Sequence, residues 1–385
     1  MDFIERNLYT EEHLMFGESV LEFAKQEIAP HHAQWEKDKM VSRELWLKAG
    51  EMGILAPQVP EAYGGMGIDD FRFNCIVDEV LSKTGFTGPS LGFSVHTDIV
   101  VPYIIHYGSE EIKQKWLPKV ATGEAICAIG MTEPGAGSDL KSLRTTAEDK
   151  GDYYLLNGSK TFITNGYLSD IVVVAAKTDP SKGAKGISLL LVETGMEGFR
   201  KGKPFEKVGM HAQDTCELFF DDVKVPKGNL LGEEGQGFIY MMTELPQERL
   251  VVGLGGLAAA QGAVEETIRY VKERKAFGKT VADFQNTRFK IAELCTELAM
   301  GWSFLDRCIE LHNEKKLDSA TASMIKYRLT DLQGQVIDQC VQLHGGYGYI
   351  WEYYVARAWA DARAQRIYAG SNEIMKELIA RKVLK

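Results

Sequence analysis

Four short segments of this sequence gather side chains with chemical capability. Met131-Thr132-Glu133-Pro134-Gly135-Ala136-Gly137-Ser138-Asp139 follows the apolar run Cys127 to Gly130. Its glycines let backbone approach a flat ligand or a phosphate, and Thr132 and Ser138 add hydroxyls. Leu343-His344-Gly345-Gly346-Tyr347-Gly348 closes a long helical pattern, and Arg274-Lys275-Ala276-Phe277-Gly278-Lys279 sets cations beside an aromatic. Leu245-Pro246-Gln247-Glu248-Arg249-Leu250 puts a proline near a helix start and a carboxylate next to a cation. Taken singly, each also reads as ordinary structure: a polar turn, a glycine helix stop, a solvated cationic run, a surface ion pair.

The elements that must position these segments change period twice. Leu14, Val20, Leu21, Ala24 and Ile28 share one helical face, as do Phe73, Ile76, Val77, Val80 and Leu81, and Ser109 before Glu110 and Glu111 predicts a helix start. Tyr153 to Leu156 and Lys160 to Thr164 read as strands flanking an Asn157-Gly158 hairpin turn, with further strands at Ile171 to Ala176, Ile187 to Val192 and Cys216 to Val225. Beyond Gly235 the helical period returns in Ile291, Leu294, Leu298, Trp302, Leu305 and Ile309, and in Ile325, Leu329, Leu332, Val336, Cys340 and Leu343. The expected fold is α+β, with an N-terminal helical domain over 1–124, a middle β-barrel or β-sandwich domain over 125–234 and a C-terminal four-helix bundle over 235–385. No βαβ alternation supports a parallel nucleotide-binding sheet.

Bulk properties exclude several classes. A net charge of −10 over 385 residues leaves no broad basic face for nucleic acid or anionic lipid. No apolar stretch reaches the ~20 residues of a membrane span, and the amino terminus lacks the basic and apolar regions of an export signal, so the expected location is cytoplasmic. The 6 cysteines are widely spaced, which suits free buried thiols, and the 8 histidines show no metal-ligand spacing, so no metal is expected.

Considered together, the segments resemble the acyl-CoA dehydrogenase family over essentially the whole chain. The resemblance rests on Thr132 to Asp139, Phe162-Ile163-Thr164, Arg274 to Lys279, Gln342-Leu343-His344-Gly345-Gly346 and Ile367-Tyr368-Ala369-Gly370-Ser371-Asn372-Glu373-Ile374. The Glu244 to Leu250 segment is most similar to the long-chain branch. The resemblance implies FAD as cofactor, with Ile129, Gly130, Met131, Thr132, Ser138, Phe162, Ile163 and Thr164 near the flavin ring. It implies that Arg274, Phe277, Phe284, Gln285, Gln342, Leu343, His344, Gly345 and Gly346 hold the FAD tail across a subunit interface. Ser371, Asn372 and Glu373 match positions that contact the flavin from its other side. Ser138, Ala184, Lys185 and Arg249 match contacts to the substrate nucleotide, and Ile239, Gln247, Ala369 and Gly370 complete the implied acyl-CoA set.

Many members of the family carry a base in a Tyr-Glu-Gly segment, where this chain has Tyr368-Ala369-Gly370. The long-chain and isovaleryl branches place it at the position of Glu248, which is therefore the implied base. Ile239 departs from the aromatic common in those branches. The implied reaction is α-proton abstraction from a fatty-acyl-CoA, with hydride leaving the β carbon for FAD and electrons passing to an electron-transfer flavoprotein; the implied assembly is a homotetramer. An N–H aimed at the thioester carbonyl, expected from Ala369, stabilises enolate charge by ~3 kcal/mol. Covered by acyl chain and flavin, a carboxylate in the position of Glu248 loses water, which raises its proton affinity toward the working range. Two rival readings stay open: an oxidase or monooxygenase on the same fold, and a non-catalytic flavin or CoA-ester binding protein.

Overall fold

A computed structural model describes residues 5–385. Seven helices come first: α1 (Glu11–Phe23), α2 (His32–Asp38), α3 (Arg43–Glu51), α4 (Arg72–Lys83), α5 (Thr87–Ser94), α6 (Val101–Tyr107) and α7 (Glu110–Ala121). Ser42 and Ser109 cap α3 and α7 by accepting the Leu45 and Ile112 amides, which satisfies donors the helices cannot. A π-helical turn, Val95–Val100, runs from α5 into α6, and every residue in that turn is buried.

The middle region is an eight-stranded sheet in the order β6-β7-β3-β2-β4-β5-β8, with β1 joined parallel to β4. Its strands are β1 (Cys127–Gly130), β2 (Thr146–Asp149), β3 (Tyr153–Thr164), β4 (Ile171–Lys177), β5 (Ile187–Glu193), β6 (Phe199–Lys201), β7 (Thr215–Pro226) and β8 (Leu230–Leu231). Alternate residues of β4 serve two cores. Val172, Val174 and Ala176 pack with Leu156, Leu218 and Phe220 inside the sheet's own curl, whereas Ile171, Val173 and Ala175 pack on Ile104 and Leu117. Covering both faces explains why β4 is an unbroken apolar run and does not alternate.

The expected Asn157-Gly158 hairpin is absent, and β3 passes straight through it. Gly158 adopts a φ of 146° at a register shift against β7, and a Cβ there would come within 2.5 Å of Thr145. Asn157 exchanges hydrogen bonds with Asp222 of β7, donating through Nδ2 at 2.9 Å and accepting the Asp222 amide at 2.8 Å. The dipeptide therefore encodes a bulge and a close approach, which share glycine's conformational freedom with a turn.

The last region holds α8 (Gly237–Glu273), the small hairpin β9 (Lys275–Ala276) and β10 (Lys279–Thr280), then α9 (Gln285–Asn313), α10 (Ser319–His344), α11 (Tyr354–Gln365) and α12 (Asn372–Val383). Leu254, Leu257, Trp302, Leu305, Leu329 and Val336 fill the bundle core. Pro246 lies well inside α8 and not near its start as the sequence suggested, because the helix already begins at Gly237. α8 packs on α10, on α4 and on β5, so one helix touches all three regions. The 6 cysteines are free and buried. Among the described residues, no helix is long and apolar enough to cross a membrane, and no group of three or more His, Cys, Asp or Glu is placed to hold a metal ion.

Candidate active site

Where the N-terminal helices, the sheet and α8 converge lies a cleft of about 970 Å³, counting its open mouth. Glu248 lines it from α8, although the side chain is only 5% exposed. The helix is apolar nearly all round from Leu250 to Val264, so it must be buried, and it carries the carboxylate in with it. Burial pushes the Glu248 carboxyl up to about 7, and Glu244 on the preceding turn pushes the same way. A hydrogen bond from Tyr103 Oη to Oε1 at 3.0 Å and the Arg249 charge oppose the rise. The result is a carboxyl poised to exchange a proton near neutral pH, which is what a general base requires.

The sheet supplies the opposite wall. Ile129, Met131, Thr132, Phe162, Ile163 and Thr164 line the cleft, and Gly130 sits between the first two against the Lys160 side chain. Phe162 is 68% exposed and holds a φ of 59°, a costly region for a bulky residue, with its ring 5.7 Å from that of Phe205. A buried ion pair fixes this wall: Lys160 Nζ bonds Glu133 at 2.8 Å and the Met131 carbonyl at 3.2 Å, and Glu133 also accepts the Arg144 and Thr145 amides. The Thr161 amide bonds the Thr132 carbonyl at 2.9 Å, tying the glycine loop to β3.

Ala369 enters the cleft from the loop between α11 and α12, again at positive φ, 52°. Lys326 of α10 anchors that loop from behind, donating to the Gly370 carbonyl at 2.7 Å and to Asn372 Oδ1 at 2.9 Å. Burial draws the Lys326 ammonium down to about 7, with the Arg249 charge acting in the same direction. Asn372 continues the network to Thr330 and Asp331, which marks its side chain as an internal strut. Ser371 caps α12 and Glu373 is exposed in its first turn.

Three family models cover the chain: the acyl-CoA dehydrogenase N-terminal domain over residues 10–124, the middle domain over 128–223 and the C-terminal domain over 235–384. The long-chain specific acyl-CoA dehydrogenase of Sus scrofa mitochondria is 53% identical over 381 residues, 98% of this chain and 88% of that protein. The chain belongs to the acyl-CoA dehydrogenase family. An acyl-CoA dehydrogenase from Geobacillus kaustophilus superposes with a TM-score of 0.96 at 50% identity, covering 98% of this chain and 100% of that one. A chain in a structure of the electron transferring flavoprotein of Acidaminococcus fermentans superposes with a TM-score of 0.94 at 39% identity, covering 100% of both. Dehydrogenases of this family are FAD-dependent oxidoreductases.

Other positions that the family resemblance marked fall in different places. Arg274, Gln342, Leu343, His344, Gly345 and Gly346 line a second pocket with Tyr270 and Tyr347, and a Cβ on either glycine would meet nothing within 4 Å. Phe277, at the tip of the β9–β10 hairpin, is 94% exposed and meets Phe284 edge-on at 6.2 Å, beside exposed Gln285. Ser138, Lys185 and Ile239 are exposed, and Ala184 is half-buried in the turn before β5. Arg249 is buried and turned from the cleft, donating to Ser319 at 2.8 Å and Ser323 at 3.3 Å. Gln247 also faces away, bonding the Asp98 carbonyl and His312.

Sequence reasoning missed Tyr103, the hydrogen-bond partner of Glu248. Its signal was a polar-tipped aromatic within the apolar run Val100 to Ile105, since a buried tyrosine hydroxyl usually finds a partner. It also missed a polar network of which Asp78, Ser90 and Ser94 line the cleft. Ser90 donates to Asp78 at 2.9 Å, while Ser94 and Asn74 donate to Asp98 at 2.7 and 2.8 Å. Burial pushes the Asp98 carboxyl up to about 6 and also raises that of Asp78 well above the usual carboxylate range, the Asp98 charge adding to the latter.

Proposed function

We propose that this chain oxidises a fatty-acyl-CoA to the trans-2-enoyl-CoA, with Glu248 as the base, FAD as cofactor and an electron-transfer flavoprotein as acceptor. The single observation carrying the assignment of the base is a buried carboxyl, raised to about 7, lining a cleft whose far wall bears an open aromatic face. The cleft suits a flat cofactor and an acyl chain. Phe162 offers a ring face, Thr132 and Thr164 offer hydroxyls beside it, and the remaining lining includes Val95, Ile99, Val251 and Val252.

Within that arrangement Glu248 accepts the proton from the carbon next to the thioester carbonyl. Tyr103 holds the receiving carboxylate in place through Oε1, leaving the second oxygen for the substrate. The Ala369 amide, presented by the left-handed turn that Lys326 anchors, donates to the thioester oxygen as negative charge builds there. Bound FAD supplies the hydride acceptor for the β carbon. The apolar lining excludes water from the reacting carbons.

The further proposals concern assembly and place. The exposed Phe277, the open Gly345-Gly346 pocket and Arg274 suit the tail of an FAD shared between subunits, and with it a homotetramer. Ser138, Ala184 and Lys185 suit the CoA nucleotide at the cleft mouth. Six reduced, buried cysteines and an acidic composition suit the cytoplasm, whereas the Sus scrofa relative is mitochondrial.

Anaerobic titration with short, medium, long and branched acyl-CoA esters tests the assignment. Bleaching of the yellow protein is expected, and Glu248→Gln should stay yellow, bind a CoA ester and not bleach. Normal reduction by that variant would show the base to be another residue, and rapid reoxidation of the bleached wild type by air would favour an oxidase.

A further inference from the structure

Glu248 has a second carboxylate one helical turn away, and that neighbour is held in place on purpose-built contacts. Glu244 lies on the same side of α8, buried at its own position, four residues before the base. Tyr107 donates to Glu244 Oε1 at 2.7 Å, and His106 Nδ1 lies 2.9 Å from the same oxygen. Tyr103, one turn earlier on α6, makes the equivalent bond to Glu248. Two tyrosines spaced i and i+4 on one helix therefore clamp two carboxylates spaced i and i+4 on the other, rung against rung. Tyr240 stacks on Tyr107 at 4.0 Å and closes the outer rung, while His106, 53% exposed on its side chain, reaches solvent.

We propose that Glu244 is a positioning residue for the base: pinned by Tyr107 one turn from Glu248, it presents a fixed carboxylate beside the base and contributes to the pH dependence of catalysis. The inference rests on the reading of Glu248 as the base. A carboxylate that swung freely into water would be screened by it, whereas one pinned by Tyr107 in a buried position acts at fixed range on its neighbour. Arg249 on α8 lowers the affinity of Glu248, as does the Tyr103 bond from α6; Glu244 itself faces His106 and Tyr107 of α6 and raises His312 of α9 through its charge. Asp78 of α4 and Tyr368 of the C-terminal loop share the cleft, and Asp98 lies beneath through its carbonyl bond from Gln247. Burial is the largest cause raising Glu248, and Glu244 is the carboxylate that adds to it.

The sign follows from the base acting in its ionised form. Removing the Glu244 charge lowers the proton affinity of Glu248, so the acid limb of kcat/KM moves to lower pH. The test uses the FAD-loaded enzyme without substrate: the Glu248 carboxyl is titrated by infrared difference spectroscopy, its band assigned by its loss in Glu248→Gln. In Glu244→Gln the midpoint should fall by about half a pH unit, with the kcat/KM limb moving in the same direction and flavin content unchanged. Tyr107→Phe, which keeps the charge and removes the clamp, should move both in the same direction by less, and it decides the matter if Glu244→Gln does not fold. A purely structural lesion would lower the plateau without moving either midpoint. Unmoved midpoints overturn the proposal. A wild-type carboxyl that titrates as described in an enzyme reduced by no acyl-CoA ester would instead remove the proposed function while leaving this coupling intact.

Discussion

The Glu248 cleft and the Gly345-Gly346 pocket are built on opposite principles. Around Glu248 one chain supplies every wall: α8 carries the base, α6 its tyrosine, β3 the facing phenylalanine and the loop after α11 the Ala369 turn. Around Gly345 the surroundings are more open. Phe277 is 94% exposed and Tyr349 is 90% exposed, and space beside both glycines is open. Burial is the largest cause raising the proton affinity of Glu248, and that burial belongs to the first region. In the second region large apolar side chains are exposed, which is what the proposed sharing of FAD between subunits would require.

The largest effect is expected at the base. Glu248→Gln should lower substrate reduction by about 10³-fold or more while leaving flavin binding intact, measured by anaerobic stopped-flow absorbance. The same variant tests its burial. A carboxyl raised from 4.5 to about 7 in the fold contributes stability that is present below the unfolded value and lost as pH climbs through the folded one. The thermal midpoint of Glu248→Gln should therefore gain on wild type between pH 4.5 and 7 and hold that gain above, and a difference independent of pH would contradict the burial argument.

Loosening the first region without touching the base should cost less. Lys326→Met removes the anchor of the Gly370 carbonyl and lets the Ala369 turn drift, with a fall in kcat of about 10- to 100-fold expected. Steady-state kinetics should show kcat falling more than KM rises. Lys160→Met leaves Glu133 buried without its cation and should destabilise the fold by about 3 to 5 kcal/mol, read from denaturant unfolding and seen as earlier loss of flavin colour. The smallest effect belongs to the open region. Phe277→Ala should change unfolding of the flavin-free chain by less than about 0.5 kcal/mol yet weaken FAD retention. Equal FAD affinity in that variant would separate the hairpin from the cofactor.

Legibility in the sequence followed the range of the forces involved. The helix, strand and helix order was readable because amphipathic periods are local. Asn157-Gly158 was misread because a glycine needed for a turn and one needed for a close approach to Thr145 look alike in one dimension. Glu248 was chosen through family resemblance, since on local grounds a helical Glu-Arg pair belongs on the surface. The clamp by Tyr103 and Tyr107 was invisible, because nothing near Glu244 or Glu248 in the chain announces helix α6.

By itself, then, the sequence determined which segments could be helix or strand, which loops carried glycines and hydroxyls, and which carboxylate stood in the position of a base. Tertiary structure alone decided that this carboxylate is 5% exposed, that its oxygen meets a hydroxyl 145 positions away, and that a second carboxylate is pinned one turn from it. Proton affinity is a property of surroundings, and those surroundings are assembled from parts of the chain that meet only when it folds.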